Sequence, residues 1–156
     1  TPPVYSAPAS LAATPVHHYA GFWIRFLAYL IDGVILGITG FFLGLMIGIV
    51  TRLGVDHETS GVAGGAAGLL NFVLGFLYFT MFWSSAMQAS LGQKICGLSV
   101  ITTEGEQLSY LNAVGRYFGL VLSFLILCIG VLMVAFTERK QGLHDMLAGT
   151  YVIKSP

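Results

Sequence analysis

The sequence predicts an all-α membrane protein: a small transmembrane helical bundle with a short β-hairpin outside the bilayer. The first observation behind this is composition. Of 156 residues, 56% are hydrophobic and only 9% charged, whereas roughly a quarter of an ordinary soluble domain is charged. The second is length. Three apolar stretches, at about 22–50, 61–87 and 117–137, reach the ~20 residues that a helix needs to cross a hydrocarbon core of about 30 Å. The third is the placement of Trp23 near the start of the first stretch and Trp83 near the end of the second. Aromatic rings favour the membrane interface, so two antiparallel helices would set both rings at one face.

Residues 1–19 are rich in Pro, Ser and Ala and are expected to form a disordered tail with no core of its own. They lack the basic start and apolar run of a signal peptide. His17 and His18 are adjacent, so they do not face one another along an element, and no metal site is expected there. Residues 20–156 are expected to form one membrane domain. The first apolar stretch carries Arg25 and Asp32 as its charges; the second, 61–87, carries none. Glycines recur at small-xxx-small spacing, as Gly33 and Gly37, Gly40, Gly44 and Gly48, and again as Gly61 and Gly65. Such stripes let helix backbones approach closely, within one chain or between two.

The link after the second stretch differs. Lys94-Ile95-Cys96-Gly97-Leu98-Ser99-Val100-Ile101 is partly β-branched, Thr103-Glu104-Gly105-Glu106 is a turn signal, and Gln107-Leu108-Ser109 follows. A strand and hairpin are expected. Thr150–Lys154 also reads as a strand able to join it. The two cysteines, Cys96 and Cys128, lie in segments of different polarity, and no disulfide is expected between them.

The third stretch, Tyr117–Thr137, admits two topologies. With a cytoplasmic N-terminus and a plain span, basic residues divide three against four, contrary to the positive-inside rule. If the segment enters and returns to the same face, with Gly130 at the bend, they divide six against one, with Arg52 alone outside. Re-entry needs its bend buried in protein, and both topologies stay open.

Arg25 and Asp32 stand seven residues apart, on one helix face and about 10 Å along the axis. A carboxylate in an apolar run must pair, be wetted or be protonated, and is a functional-site hypothesis by default. Arg25, Arg116 and Arg139 are its expected partners. A buried ion pair that sets helix register is the structural alternative. Leu143, Met146 and Leu147 fall at helical spacing, as in a short amphipathic helix at the interface. His144, between them, is expected to be a surface or hydrogen-bonded residue that could titrate near neutral pH.

Three blocks together resemble the RDD family of small bacterial membrane proteins: Ala20-Gly21-Phe22 through Arg25 to Asp32-Gly33; Lys94 through Gly97-Leu98-Ser99-Val100 to Arg116; and Arg139-Lys140-Gln141-Gly142-Leu143-His144-Asp145-Met146-Leu147-Ala148-Gly149-Thr150. By that motif the family's arginine and two aspartates are Arg25, Asp32 and Asp145. Where the family has a Thr-Pro-Gly-Lys-like turn, this chain has Leu91-Gly92-Gln93, with Lys94 one place later. The resemblance implies a bacterial inner (cytoplasmic) membrane protein, multi-pass with a cytoplasmic N-terminus, and brings with it the cation/proton antiport proposed for some members.

Two functions are therefore expected as alternatives. In the first, the chain exchanges a monovalent cation for protons with Asp32 as carrier, tuned by Arg25 and Asp145 and supported by Arg116, Arg139 and His144. In the second it is a non-catalytic scaffold or accessory subunit of a larger membrane complex, and the same charges are architecture. Either way its partners are the lipid bilayer and a second copy or another membrane protein. An enzyme is the poorest fit: no phosphate-binding Gly-Lys-Ser/Thr loop, His-Glu-x-x-His helix or Gly-x-Ser-x-Gly elbow occurs. No cofactor is expected, and no basic run points to nucleic acid.

Overall fold

Hydrocarbon offers the backbone no hydrogen-bond partner, so a chain this apolar must satisfy its N–H and C=O groups within helices. The structure is a computed structural model that describes residues 18–54, 60–126 and 129–155. In chain order its elements are α1 (Phe22–Gly54), α2 (Ser60–Ser84), α3 (Leu91–Ile95), β1 (Leu98–Thr102), α4 (Tyr110–Leu125), α5 (Ile129–Phe136), α6 (Leu143–Ala148) and β2 (Thr150–Lys154). The N-terminal tail with His17, and also Cys128, lie outside the described residues.

Among the described residues, Phe22–Val50 and Gly64–Ser84 are the helical windows long and apolar enough to cross a membrane. Only 6% of the first window is buried within the chain. Phe41, Phe42, Met46 and Val50 instead stand outward and exposed. In water so much bare apolar surface would drive association; in a bilayer it is the lipid-facing side.

The third apolar stretch is not a straight helix. α4 and α5 are inclined by 100°. Gly130 sits just past the turn, where a Cβ would stand 2.6 Å from Ser123 Oγ and 3.0 Å from Leu143 Cβ. Only glycine lets α5 lie this close to α4 and α6. The chain then returns to the end from which α4 departs, and strand pairing demonstrates it. β1 precedes α4, β2 follows α6, and the two pair antiparallel from Leu98 opposite Lys154 to Thr102 opposite Thr150. Tyr19 bridges to Ile153, and the Ala20 amide donates to the Val152 carbonyl at 2.9 Å.

The small sheet is thus built from segments distant in sequence. Gln107–Ser109, expected to supply a local hairpin strand, is not a strand; the Thr102 amide donates to the Glu106 carbonyl and closes a turn instead. The start of α1, the end of α2, α3, both strands, the start of α4 and all of α6 gather at one end of the bundle. The buried core lies there too, with Trp83, Leu98, Val100, Ala113, Leu120 and Val152 at its centre.

Packing within the chain treats the two tryptophans differently and leaves much of the glycine stripes open. Trp83 is fully buried within the chain, whereas Trp23 is 77% exposed. Arg116 of α4 lies over the Trp83 ring. The glycine stripes also do little within the chain. Gly40 meets the Asn71 side chain of α2, but nothing stands within 4 Å of a Cβ built on Gly33, Gly37, Gly44 or Gly65. Gly61 lies in α2, outside the described side chains.

Candidate functional site

Arg25, one turn into α1, points back toward the sheet. Its Nε donates to the Ala20 carbonyl at 3.0 Å and its Nη2 to the Val152 carbonyl at 3.3 Å. Its Nη1 reaches Asp145 Oδ2 at 2.5 Å. Asp145 is in the first turn of α6, where an acid also suits the helix N-terminus, and the same Oδ2 accepts from the Gly142 amide at 3.1 Å.

The other oxygen, Oδ1, lies 2.6 Å from Arg116 Nη1 of α4. That contact is a close ion pair rather than an aligned hydrogen bond, since Oδ1 has no well-angled donor. Arg116 Nη1 also donates to Thr150 Oγ1 at 2.6 Å, and its guanidinium carbon sits 4.8 Å from the Trp83 ring centroid. One carboxylate thus joins α1, α4, α6 and, through Thr150 and Val152, β2.

Electrostatics follow from that geometry. Burial pushes the Asp145 carboxyl up, but Arg116, His144 and Arg25, with the Gly142 amide, outweigh it and hold the group below the usual carboxylate range. His144 moves the other way. Burial first, against the pull of Asp145, and then Arg116 and Arg25, push its imidazole down to about 4. Of the two expected settings, surface or hydrogen-bonded, His144 takes the second: it is a buried, neutral ring, 1% exposed, with Nε2 3.4 Å from the Tyr29 hydroxyl.

Asp32 belongs to a second cluster. It is fully buried, but none of its expected partners, Arg25, Arg116 or Arg139, reaches it. Two helical turns are too far for Arg25, which is spent on Asp145 and the sheet. Arg139 donates to the Tyr151 hydroxyl at 2.8 Å. Asp32 instead accepts from Tyr78 Oη at 2.7 Å and the Gly92 amide at 2.7 Å, both on Oδ1, and from Ser90 Oγ at 2.5 Å on Oδ2.

Gly92 is required for this approach. A Cβ there would run into the Ala28 carbonyl and stand 2.8 Å from Asp32 Cγ. The α3 helix that carries these donors is capped by Ser90, whose amide donates to Gln93 Oε1 at 3.0 Å. Trp83 Nε1 donates to the same Oε1 at 2.8 Å. A continuous path therefore runs from Asp32 through Ser90, Gln93, Trp83 and Arg116 to Asp145 and Arg25.

The residues that sequence reasoning missed are those donors: Tyr78, Ser90, Gly92 and Gln93, with Trp83 as the bridge. One signal was present. Ser90 followed three residues later by Gln93 is a capping-box pattern and marks a helix start where a strand was expected. Nothing local marks Tyr78, one aromatic among many on α2. Lys94 is exposed and lies outside both clusters.

A lipid-facing pair of long helices, closed at one end by a short sheet and two buried carboxylate clusters, defines a small α-helical integral membrane protein. The chain belongs to the RDD family, whose model matches residues 19–149. YxaI of Bacillus subtilis is 38% identical over 148 residues, which cover 86% of this chain and 96% of YxaI. YckC of the same organism is 30% identical, over 88% of this chain and 85% of YckC. YteJ, there described as a membrane protein, is 29% identical, over 88% of this chain and 82% of YteJ. No solved structure matches.

Proposed function

We propose that this chain is a non-catalytic membrane scaffold or accessory subunit, whose charged residues hold one end together while its long helices offer apolar faces to a second copy or another membrane protein. The observation that carries this is the fate of the motif residues. Arg25 and Asp145 end in one buried ion-pair cluster and Asp32 in another of neutral donors, each built from groups of the chain itself. An Arg–Asp–Arg cluster buried this way serves conformational specificity. The glycine faces of α1, open at Gly33, Gly37 and Gly44, suit close helix–helix contact between chains.

The charge distribution supports an orientation with the sheet end in the cytoplasm of a bacterium with this protein in its inner membrane. Arg25, Lys94, Arg116 and Lys154 lie on elements of that end, Arg139 and Lys140 on the connection that leads into α6, and Arg52 at the far end of α1. Cysteine labelling in intact cells checks it. A cysteine at Glu104 should stay protected from a membrane-impermeant maleimide, and one at Leu53 should react.

One observation favours cation/proton exchange as a second reading: Asp32 has no cationic partner among the described residues. Ion flux in proteoliposomes separates the two. Under a pH gradient with Na⁺, K⁺ or Li⁺, a scaffold carries no flux, and Gly37→Leu lowers its oligomeric size without lowering its unfolding temperature. Cation-coupled proton flux that is lost in folded Asp32→Asn protein would overturn the scaffold and establish exchange.

A further inference from the structure

An apolar groove of about 530 Å³ runs along the outer face of α2 and onto the turn that follows it, lined by Leu77, Tyr78, Met81, Phe82 and Met87 among others. That volume lies within the about 300–1,000 Å³ typical of small-molecule sites. The groove opens toward the lipid side of a membrane helix, so its occupant must be soluble in the bilayer.

What distinguishes it from any gap between lipid-facing side chains is what lies behind its wall. Tyr78 lines the groove, and its hydroxyl donates to Asp32 Oδ1 at 2.7 Å while accepting from the Leu91 amide at 3.1 Å. One aromatic ring thus separates the groove from a fully buried carboxylate. The second carboxylate, Asp145, is neutralised by two guanidiniums. Asp32 has only neutral donors: a phenol, a serine hydroxyl and a backbone amide. Its charge is therefore uncompensated within the described residues, and in a low-dielectric setting its field carries far.

The wall itself favours the same sign of ligand. The Tyr78 and Phe82 rings lie with centroids 5.0 Å apart at 52°, forming an aromatic corner, and both line the groove. Ring faces are electron-rich and attract cations, quaternary ones above all. Met81 and Met87 add polarizable thioethers, which adapt to irregular apolar shapes.

We propose that this groove binds a lipophilic organic cation, with its charge against the Tyr78–Phe82 corner and Asp32 as the counter-charge behind Tyr78. This goes beyond the scaffold reading: it concerns binding rather than flux or assembly, and it stands or falls by a different measurement.

The test is equilibrium binding of tetraphenylphosphonium, a permanent cation, to the full chain in lipid nanodiscs, with empty nanodiscs as the partition control. Saturable binding near one per chain is expected, and it should be weakened at least tenfold by Asp32→Asn. Met81→Trp fills the groove and should abolish it. Met81 is 61% exposed and donates none of the hydrogen bonds to Asp32, so this variant remains decisive if Asp32→Asn does not fold. Leu45→Trp, on α1 outside the groove, should bind as the wild type does.

Triphenylphosphine oxide, neutral and similar in shape, should not compete. Binding no greater than partition into empty nanodiscs would overturn the proposal. So would full binding by Met81→Trp or by folded Asp32→Asn, or equal competition by the neutral oxide.

Discussion

Asp145 and Asp32 occupy the same end of the molecule, both wholly buried, and the chain treats them in opposite ways. Asp145 sits between two guanidiniums, so its charge is matched in excess and the cluster carries a net positive charge while His144 is neutral. Asp32 sits among a phenol, a hydroxyl and an amide, so its charge is solvated but not matched. The first arrangement joins four elements; the second joins α1 to a five-residue helix and one tyrosine of α2. A buried acid with charged partners is thus the rivet of this fold, and a buried acid with neutral partners is a local fastening that keeps its field.

The largest expected effect comes from breaking the rivet. Asp145→Asn strands two buried guanidiniums, and loss of one member of a buried ion pair typically costs about 3–5 kcal/mol. Unfolding in mild detergent, followed by size-exclusion chromatography, should show a large loss of monodisperse protein. Equal stability of the variant and the wild type would mean that the cluster holds nothing together.

Next in size is a pH effect that belongs to the Asp145 side alone. His144 is pushed down to about 4 from an ordinary 6.5. The folded state therefore takes up its proton later than the unfolded chain does. The stability associated with neutral His144 is complete above about pH 6.5, falls as pH drops toward about 4, and is constant below that. The span corresponds to about 3 kcal/mol as an upper scale. Asp145, held below its ordinary range, contributes stability that begins to fall only once pH drops through the ordinary carboxylate range. His144→Gln should flatten stability between pH 6.5 and 4 while leaving the more acidic loss in place. An unchanged slope in that window would place its origin elsewhere.

Smaller again are changes at the Asp32 fastening. Asp32→Asn keeps an acceptor for some of its donors, and charge-assisted hydrogen bonds are each worth about 1.5–3 kcal/mol, so the loss should be about 1–3 kcal/mol. It should stay below that of Asp145→Asn in the same assay. The reverse order would dissolve the distinction between the two clusters. Gly92→Ala should lie in the same range, because its Cβ meets the Ala28 carbonyl and Asp32. The smallest effect is expected at Gly37→Ala, where nothing stands within 4 Å. There the unfolding of a single chain should change by less than about 1 kcal/mol.

Much of the architecture was legible in the residues. The apolar stretches located α1 and α2 because a bilayer-crossing helix has a length requirement that composition alone reveals. The count of Lys and Arg raised re-entry as one of two open topologies, and the β1–β2 pairing shows the chain returning to the end from which α4 departs. Asp32 was recognisable as a charge needing partners, and the family motif picked out Arg25 and Asp145. What stayed hidden was who partners whom. Asp32 and Arg25 share a helix face, and spacing suggested a common network with direct contact; the returning chain instead brings Asp145 to Arg25 from 120 positions away. Trp83 has the sequence setting of an interfacial ring, and Phe79, Gln93 and the Arg116 guanidinium together make it core.

The sequence by itself determined that this protein lies in a membrane, where its long apolar helices run and that Asp32 needs partners, because those follow from local apolarity and backbone hydrogen bonding. Tertiary structure alone decided that the third stretch bends, that β1 pairs with β2 and that the two aspartates divide between a charged and a neutral cluster. Those outcomes depend on contacts between residues far apart in the chain, whose energies exist only once the bend at Gly130 has brought them within reach.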